Sequence, residues 1–416
     1  MQPAGRKNMK RVLMLVVIPI LVSTLLRLAL IFSYGNQLGF ESDDSRYVRS
    51  ARILEEEGRF VYYNPDEPTV YITPVYPMFL AAIFKIFGSG IIGLQSARVI
   101  QALLAGAGTY ILFLTAKRLF NPAVGILSVF LASFYPPNIS TPGYLLTETL
   151  FVVLFLWGIY YSFIFADNCS LKKAARWGLL WGLTILCRPT AALIPVIFFL
   201  WLLWVRRICL KNVLRYGITA SIGFVLVMSP WWTRNYILFK EFIPLTQSSG
   251  NPLLQGTYVN YEKDVVSLTS PQKTERQLDK EEVALAVSRI RKGFSENPKR
   301  YLLWYTLGKT IRLWIYPFYW RVLAGVSINA VFAIHFFYIL GFVGLLLAMA
   351  RNFTMNFYTV MIIIYFNILF CIFYSFSRYA YPLMYLVTMY LAFLLYWTGT
   401  RGMRLIMEKR KSTKSP

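Results

Sequence analysis

The sequence predicts an all-α polytopic membrane protein, a bundle of about ten transmembrane helices with further helices lying on its outer face. Three observations carry that prediction. First, only 15% of the 416 residues are charged and 57% are hydrophobic, where soluble domains carry about 25% charge; the mean hydropathy is +0.51. Second, apolar runs of about 20 residues recur along the chain, each long enough to cross a hydrocarbon core of ~30 Å. Third, Lys and Arg gather in short clusters between those runs, as cytoplasmic loops require. The formal charge of +24 would suggest nucleic acid in a soluble protein. Here it is explained by the cytoplasmic anchors, and no nucleic-acid partner is expected.

The elements follow in order. Residues 1–33 place Arg6, Lys7, Lys10 and Arg11 ahead of an apolar run. The run is too long for a signal-peptide core and lacks a small-residue cleavage site, so it reads as an uncleaved first helix. Further basic clusters stand at Lys117/Arg118, Lys172/Lys173/Arg176, Arg206/Arg207/Lys211/Arg215, Arg351, and in the tail from Arg401 to Lys414. Placing all of them inside gives crossings near 12–33, 92–116, 123–139, 145–166, 177–187, 189–205, 216–233, 325–350, 354–374 and 379–399, with both ends cytoplasmic.

The segment 177–205 is basic at both ends, so a single crossing would violate the charge rule. Two short helices turning at Arg188-Pro189 satisfy it, because proline disfavours helix at the preceding residue; one long kinked helix is the alternative. Residues 74–88 are short and carry Lys85. Residues 299–320 mix Lys299, Arg300, Lys309 and Arg312 with Trp304, Tyr305, Trp314, Tyr316 and Trp320. Both read as helices at the membrane surface. The outer face then carries two large loops, 34–91 and 234–324. Within the second, residues 273–292 form an amphipathic pattern with Val283, Leu285, Ala286 and Ile290 on one face. Three parts are expected: a transmembrane core over 1–233 that includes the first outer loop, the second outer loop over 234–324, and the helices and basic tail of 325–416.

Ionisable groups collect at the outer ends of the spans. Asp43 and Asp44 follow the first, Glu148 opens the fourth, Arg188 sits at the hairpin turn, Arg234 ends the seventh and Arg378 opens the tenth. Such groups are costly beside a membrane and face a cavity or one another. Arginines bind phosphate through a planar fork of donors, and a carboxylate takes a proton from an attacking hydroxyl. Acids and arginines together at a membrane face point to a lipid-phosphate leaving group. Each arginine alone also fits interfacial snorkelling, and Ser42 or Asp43 also fits the N-cap of a helix over 45–57. The four cysteines (Cys169, Cys187, Cys209, Cys371) contain no CxxC, and the lone His335 lies in an apolar run. No disulfide framework, zinc site or histidine triad is expected. Two adjacent carboxylates suffice for weak Mg²⁺ binding, so a divalent ion at Asp43/Asp44 stays open, although no cofactor is required.

A set of motifs then runs through the chain: Asp43-Asp44-Ser45-Arg46-Tyr47 with Ala51-Arg52-Ile53-Leu54, Thr73-Pro74-Val75-Tyr76-Pro77 ending in Phe87-Gly88, Leu146-Thr147-Glu148, Cys187-Arg188-Pro189-Thr190, Pro230-Trp231-Trp232-Thr233-Arg234-Asn235, Glu296-Asn297-Pro298-Lys299-Arg300-Tyr301 and Ser377-Arg378-Tyr379. In this order they resemble the GT-C membrane glycosyltransferases, in the bacterial branch of protein O-mannosyltransferases and the aminoarabinose transferase (glycosyltransferase family 39-like proteins). The resemblance implies a GT-C-like bundle and an inverting transfer of a sugar from a polyprenyl-phosphate donor to an acceptor hydroxyl on protein, lipid or glycan. It implies the inner membrane, a site facing the periplasm, and a chain acting as a monomer. Asp43 would be the general base and Asp44 would orient the acceptor or a basic partner. Tyr47, Tyr76 and Glu148 would contact the acceptor or donor sugar, and Arg188, Arg234 and Arg378 would hold the phosphate. One departure matters. Family members often carry Lys or Arg before the Pro-Pro turn; this chain has Ile72-Thr73, and Val75 replaces the second proline. A flippase for lipid-linked sugars, or a polymerase or ligase of polyprenyl-linked glycans, is the competing class.

Overall fold

The computed structural model describes residues 3–261, 268 and 272–412, with side chains between 12 and 401. The side chains of Arg6, Lys7, Lys10 and Arg11, and those of the tail beyond Arg401 as far as Lys414, lie outside the described residues. The described residues form helices and turns, with a single isolated bridge between Leu323 and Val326. In chain order the helices are α1 (Pro3–Tyr34), α2 (Asp43–Glu57), α3 (Val75–Phe87), α4 (Ile91–Leu119), α5 (Pro122–Phe134), α6 (Pro136–Ser140), α7 (Glu148–Asp167), α8 (Leu171–Cys187), α9 (Ile194–Leu200), α10 (Leu210–Phe239), α11 (Gly250–Gly256), α12 (Glu275–Glu296), α13 (Pro298–Leu303), α14 (Lys309–Ile315), α15 (Ile328–Ile339), α16 (Gly341–Arg351), α17 (Phe353–Ile372) and α18 (Ser377–Ser412).

Several starts are written in the sequence as side-chain caps, which satisfy the orphan N–H groups of a first turn. Asn121 accepts from the Val124 N–H with Pro122 at the first helical position, Ser170 accepts from Lys173, and Asn352 accepts from Met355. Thr274 and Gln277 close a capping box on α12.

This is a multi-pass membrane protein. Among the described residues, seven helices or helix pairs are long and apolar enough to cross a bilayer, including Val12–Leu38, Glu148–Asp167 and Ser377–Arg401. The bent pair α5–α6 makes an eighth if it is one span, and the two short helices flanking Arg188, each below that length, would bring the total to about ten. Those two short helices form a hairpin rather than one kinked helix. Arg188 is extended (φ −146°, ψ 115°). The Trp177 ring stacks on Phe198 at 4.7 Å and meets Phe199 edge-on at 5.3 Å, about ten residues either side of the turn. Arg206 donates to Ala166 and Asp167, which returns the far end to the C-terminal end of α7. Gly178 and Gly223 let α8 and α10 touch: a Cβ at Gly178 would lie 1.9 Å from the Ala220 carbonyl oxygen, and one at Gly223 2.3 Å from that of Ala175.

The structure departs from the expectation in three places. The span expected over 123–139 breaks at Tyr135, ahead of Pro136 and Pro137, and α5 and α6 meet at 69°. The broken backbone is held by buried side chains: Arg27 Nε donates to Asn138 O (2.9 Å), Arg98 Nε to Gly143 O (3.1 Å), and Gln101 Nε2 to Pro142 O (2.9 Å) and Tyr144 O (2.8 Å). These bonds answer the carbonyls that the break releases in a water-poor region, and so fix where α7 begins. Second, α10 runs unbroken through Pro230 to Phe239, so Arg234 lies inside a helix. Third, α12 docks through a face turned from its apolar pattern toward its polar side, sharing Ala286 with that pattern. Leu285 is exposed, while Asp279, Glu282, Ala286 and Gly293 are buried. The contact is polar and close: Asp279 Oδ1 accepts the Gly250 N–H at 2.6 Å and Glu282 Oε1 accepts from the Asn251 amide at 3.0 Å.

Helix α18 is the centre of the bundle, with 78% of its most apolar window buried, whereas α1 and α10 have 22% and face lipid. Its first turn carries Arg378.

Candidate active site

Asp43 is the first residue of α2 and Asp44 the second. Successive helix residues diverge by about 100°, and the two carboxylates go different ways. Asp44 is buried and turns back onto the preceding loop. Its Oδ2 accepts the Phe40 N–H at 2.8 Å and its Oδ1 the Ser42 N–H at 2.9 Å. Glu41 sits between them in the left-handed region (φ 53°). Asp44 is thus the anchor of the turn that presents Asp43. The Ser42 side chain makes no capping bond.

Asp43 faces the bundle. Its Oδ2 accepts from Arg378 Nη1 at 2.8 Å, and its Oδ1 from the Tyr62 hydroxyl at 3.0 Å and Arg46 Nη1 at 3.4 Å. Burial works to raise the carboxyl's pKa. The Arg378 guanidinium beside it, with the Tyr62 hydroxyl and Arg46, outweighs burial and holds it below the ordinary carboxylate value. Glu148, the first residue of α7, is fully buried. Its Oε1 accepts from Arg188 Nη1 at 3.1 Å and from Arg378 Nε, and its Oε2 from Arg378 Nη2 at 3.3 Å. The result is one chain of charge, Arg188–Glu148–Arg378–Asp43, with two cations and two anions. A buried ionic network persists only with its partners in place.

Two cavities meet at this chain. One, of about 950 Å³, opens among the outer loops. Its wall includes Asp43, Arg46, Arg378, Asn251 of α11, and Asp279 and Glu282 of α12. Burial pushes the carboxyls of Asp279 and Glu282 up, against the hydrogen bonds they accept. The other, of about 530 Å³, runs among Arg188, Leu193, Leu369, Phe370 and Phe373, between the hairpin turn and α17. Asp43, Arg378 and Tyr379 line both.

Among the expected site residues, Asp43, Glu148, Arg188 and Arg378 converge. Tyr47 lines the inner cavity, its ring edge-on to Tyr76 at 5.1 Å. Tyr76 is buried behind it and donates to Gln101 Oε1 at 2.9 Å. Arg234 does not join them. Its Nη1 donates to Thr69 O at 2.7 Å and its Nη2 to Phe60 O at 3.3 Å, and the guanidinium packs on Trp231 and Phe60. It staples the 60–69 loop to α10. The Asp43/Asp44 pair does not fit a divalent ion, because both Asp44 oxygens are spent on backbone N–H groups and Asp43 on Arg378, Tyr62 and Arg46. Where the family often has a cation before the proline turn, Ile72 and Thr73 line the inner cavity, and its arginines are Arg188 and Arg378. Tyr62 is the site residue that sequence reasoning missed. It lies 19 positions from Asp43, beyond any helical spacing, in a loop without a motif.

Residues 66–233 match a family model described as dolichyl-phosphate-mannose-protein mannosyltransferase. No curated protein matches the sequence. Among solved structures, the archaeal oligosaccharyltransferase AglB from Archaeoglobus fulgidus, in complex with an inhibitory peptide and a dolichol-phosphate, is 16% identical with a TM-score of 0.62, covering 98% of this chain and 52% of its own. The Archaeoglobus fulgidus oligosaccharyltransferase tethered to an acceptor peptide containing the NVT sequon gives 14%, 0.60, 94% and 50%. ArnT from Cupriavidus metallidurans, bound to undecaprenyl phosphate, gives 14%, 91% and 76% with a TM-score of 0.46, too low to establish a common fold. The chain spans about half the length of the oligosaccharyltransferase structures. The chain is an all-α multi-pass membrane protein that shares the fold of AglB and is similar over residues 66–233 to the dolichyl-phosphate-mannose-protein mannosyltransferase family.

Proposed function

We propose that the chain is an inverting glycosyltransferase that moves a sugar from a polyprenyl-phosphate donor to an acceptor hydroxyl at the periplasmic face of the inner membrane. The observation that carries this reading is the position of Asp43 and Arg378 in the wall common to both cavities. The inner cavity, with its apolar residues and Arg188, suits the phosphate and first isoprene units of a lipid donor. The outer cavity, open to the loops, suits the acceptor. The similar oligosaccharyltransferase is described with a dolichol-phosphate and a peptide, which agrees with a lipid-linked donor.

In this mechanism Asp43 takes the proton of the acceptor hydroxyl as its oxygen attacks the anomeric carbon. The bond from that carbon to the phosphate oxygen breaks, the electron pair leaves with polyprenyl phosphate, and the configuration inverts. Arg188 and Arg378 hold the phosphate charge. Positioned general-base catalysis contributes roughly 10²–10⁴-fold, and fixed cations at the leaving group act where the site is drier than water. Glu148 keeps both arginines aimed while no phosphate is bound.

The test is transfer of labelled sugar from undecaprenyl-phosphate donors to an envelope fraction by the purified, reconstituted protein. Wild type releases polyprenyl phosphate and labels an acceptor, whereas Asp43→Asn, folded and inserted, loses at least a hundredfold in rate. Undiminished transfer by Asp43→Asn overturns the base assignment. Movement of the intact donor across the bilayer without cleavage makes the chain a flippase instead.

A further inference from the structure

A third cavity, of about 440 Å³, adjoins the acceptor side. It shares Trp320, Tyr374 and Phe376 with the outer cavity and continues to Tyr316, Phe332 and Arg312. It therefore runs on from the reacting centre: Phe376 stands two residues before Arg378 and stacks on Trp320 at 4.7 Å. Its wall differs from the acid-rich outer cavity. Rings dominate, Arg312 is the one charged side chain, and none of its described lining residues is a carboxylate.

We propose that this aromatic cavity is a saccharide subsite, so that the acceptor is itself a glycan or glycolipid whose neighbouring sugar ring stacks on Trp320. This rests on the transferase reading above and names its acceptor class. A pyranose has one face of C–H groups and a rim of hydroxyls. Trp320 is 37% and Tyr316 45% exposed, so rings are available for the apolar face. The Tyr316 hydroxyl and the Trp320 indole N–H stand at their edges with no hydrogen-bond partner among the described residues, ready for the rim. Arg312 lies over the Tyr316 ring at 5.6 Å and donates one bond to Asn260 O at 3.1 Å, which leaves other guanidinium donors for a sugar oxygen. A peptide fits less well. It needs backbone donors and acceptors or a strand edge, and the one bridge here, Leu323 to Val326, is closed within its own turn and braced by the Tyr319 hydroxyl.

The experiment is saturation-transfer NMR on the full chain in a detergent without a sugar headgroup, with maltotriose, chitotriose and mannotriose as probes and undecaprenyl phosphate as a separate ligand. Wild type and Asp43→Asn should bind at least one trisaccharide. Trp320→Ala and the milder Tyr316→Leu should weaken it tenfold or more while still binding undecaprenyl phosphate. No trisaccharide binding by wild type, or unchanged binding by both variants, overturns the proposal. Loss of undecaprenyl phosphate with Trp320→Ala overturns it too, by making the cavity a lipid site. Movement of the intact donor by wild type without cleavage would sink the transferase reading while leaving this binding result intact, so the two failures are separable.

Discussion

Arg378 donates to carboxylates that lie 230 and 335 positions earlier in the chain, and it carries the electrostatics of the site. It outweighs the burial of Asp43, so the carboxylate stays ionised to lower pH than usual. A depressed folded pKa means that the contact stabilises the fold above the unfolded carboxyl value of about 3.9 and stops doing so as pH falls through the lower folded value. Replacing Arg378 with Gln leaves burial as the dominant influence, and the Asp43 pKa rises. The acid limb of the kcat/KM profile in Arg378→Gln should therefore move to higher pH, alongside weaker donor binding; a limb that stays in place would dissociate Arg378 from the base. The same scale shows the limit of reading residues in a row. Asp43-Asp44 is visible in the sequence as a pair, yet only the direction of each Cβ at the start of a helix separates the proposed base from the anchor. Arg234 stands in a motif as suggestive as that of Arg378, but α10 continues past it and turns its guanidinium onto the 60–69 carbonyls.

At the scale of elements, what was legible followed from charge and from proline. Basic residues at both ends of 177–205 required a return, and Arg188-Pro189 supplied the place for it. Pro136 and Pro137 break α5 for the same local reason, although an apolar run passes over them. The docking face of α12 was not legible, because it is held by carboxylates accepting N–H bonds and by small residues rather than by an apolar stripe. Close approach without large side chains also governs the packing of α8, the first arm of the hairpin, on α10. Gly178→Val would drive side-chain atoms into the Ala220 carbonyl, and overpacking of this kind costs about 1–3 kcal/mol. Its melting temperature in detergent should fall, and transfer should fall with it because Arg188 shifts. Gly399→Ala is the control: a Cβ there meets nothing within 4 Å, and its melting temperature should equal that of wild type or rise.

For the molecule as a whole, the hairpin sets a length. Helix α8 has 17 residues, about 25 Å at 1.5 Å each, against a hydrocarbon core of ~30 Å. With Lys172, Lys173 and Arg176 in its first turns held near one layer of headgroups, its far end cannot reach the opposite surface. Arg188, at that far end, is tied to Glu148 in the first turn of α7 and through it to Arg378 in the first turn of α18. Hydrophobic mismatch then becomes a variable of catalysis. A thicker bilayer buries that far end further from the headgroup plane where donor phosphates sit, while a thinner one brings the two level, at a modest free-energy cost per ångström. In vesicles of increasing acyl-chain length, the apparent donor affinity should decline steadily while the pH profile stays fixed. A flat response would mean that the surrounding bilayer already thins to meet the hairpin, so that lipid deformation around α8–α9, and not the enzyme alone, sets how far a polyprenyl phosphate must sink to be used.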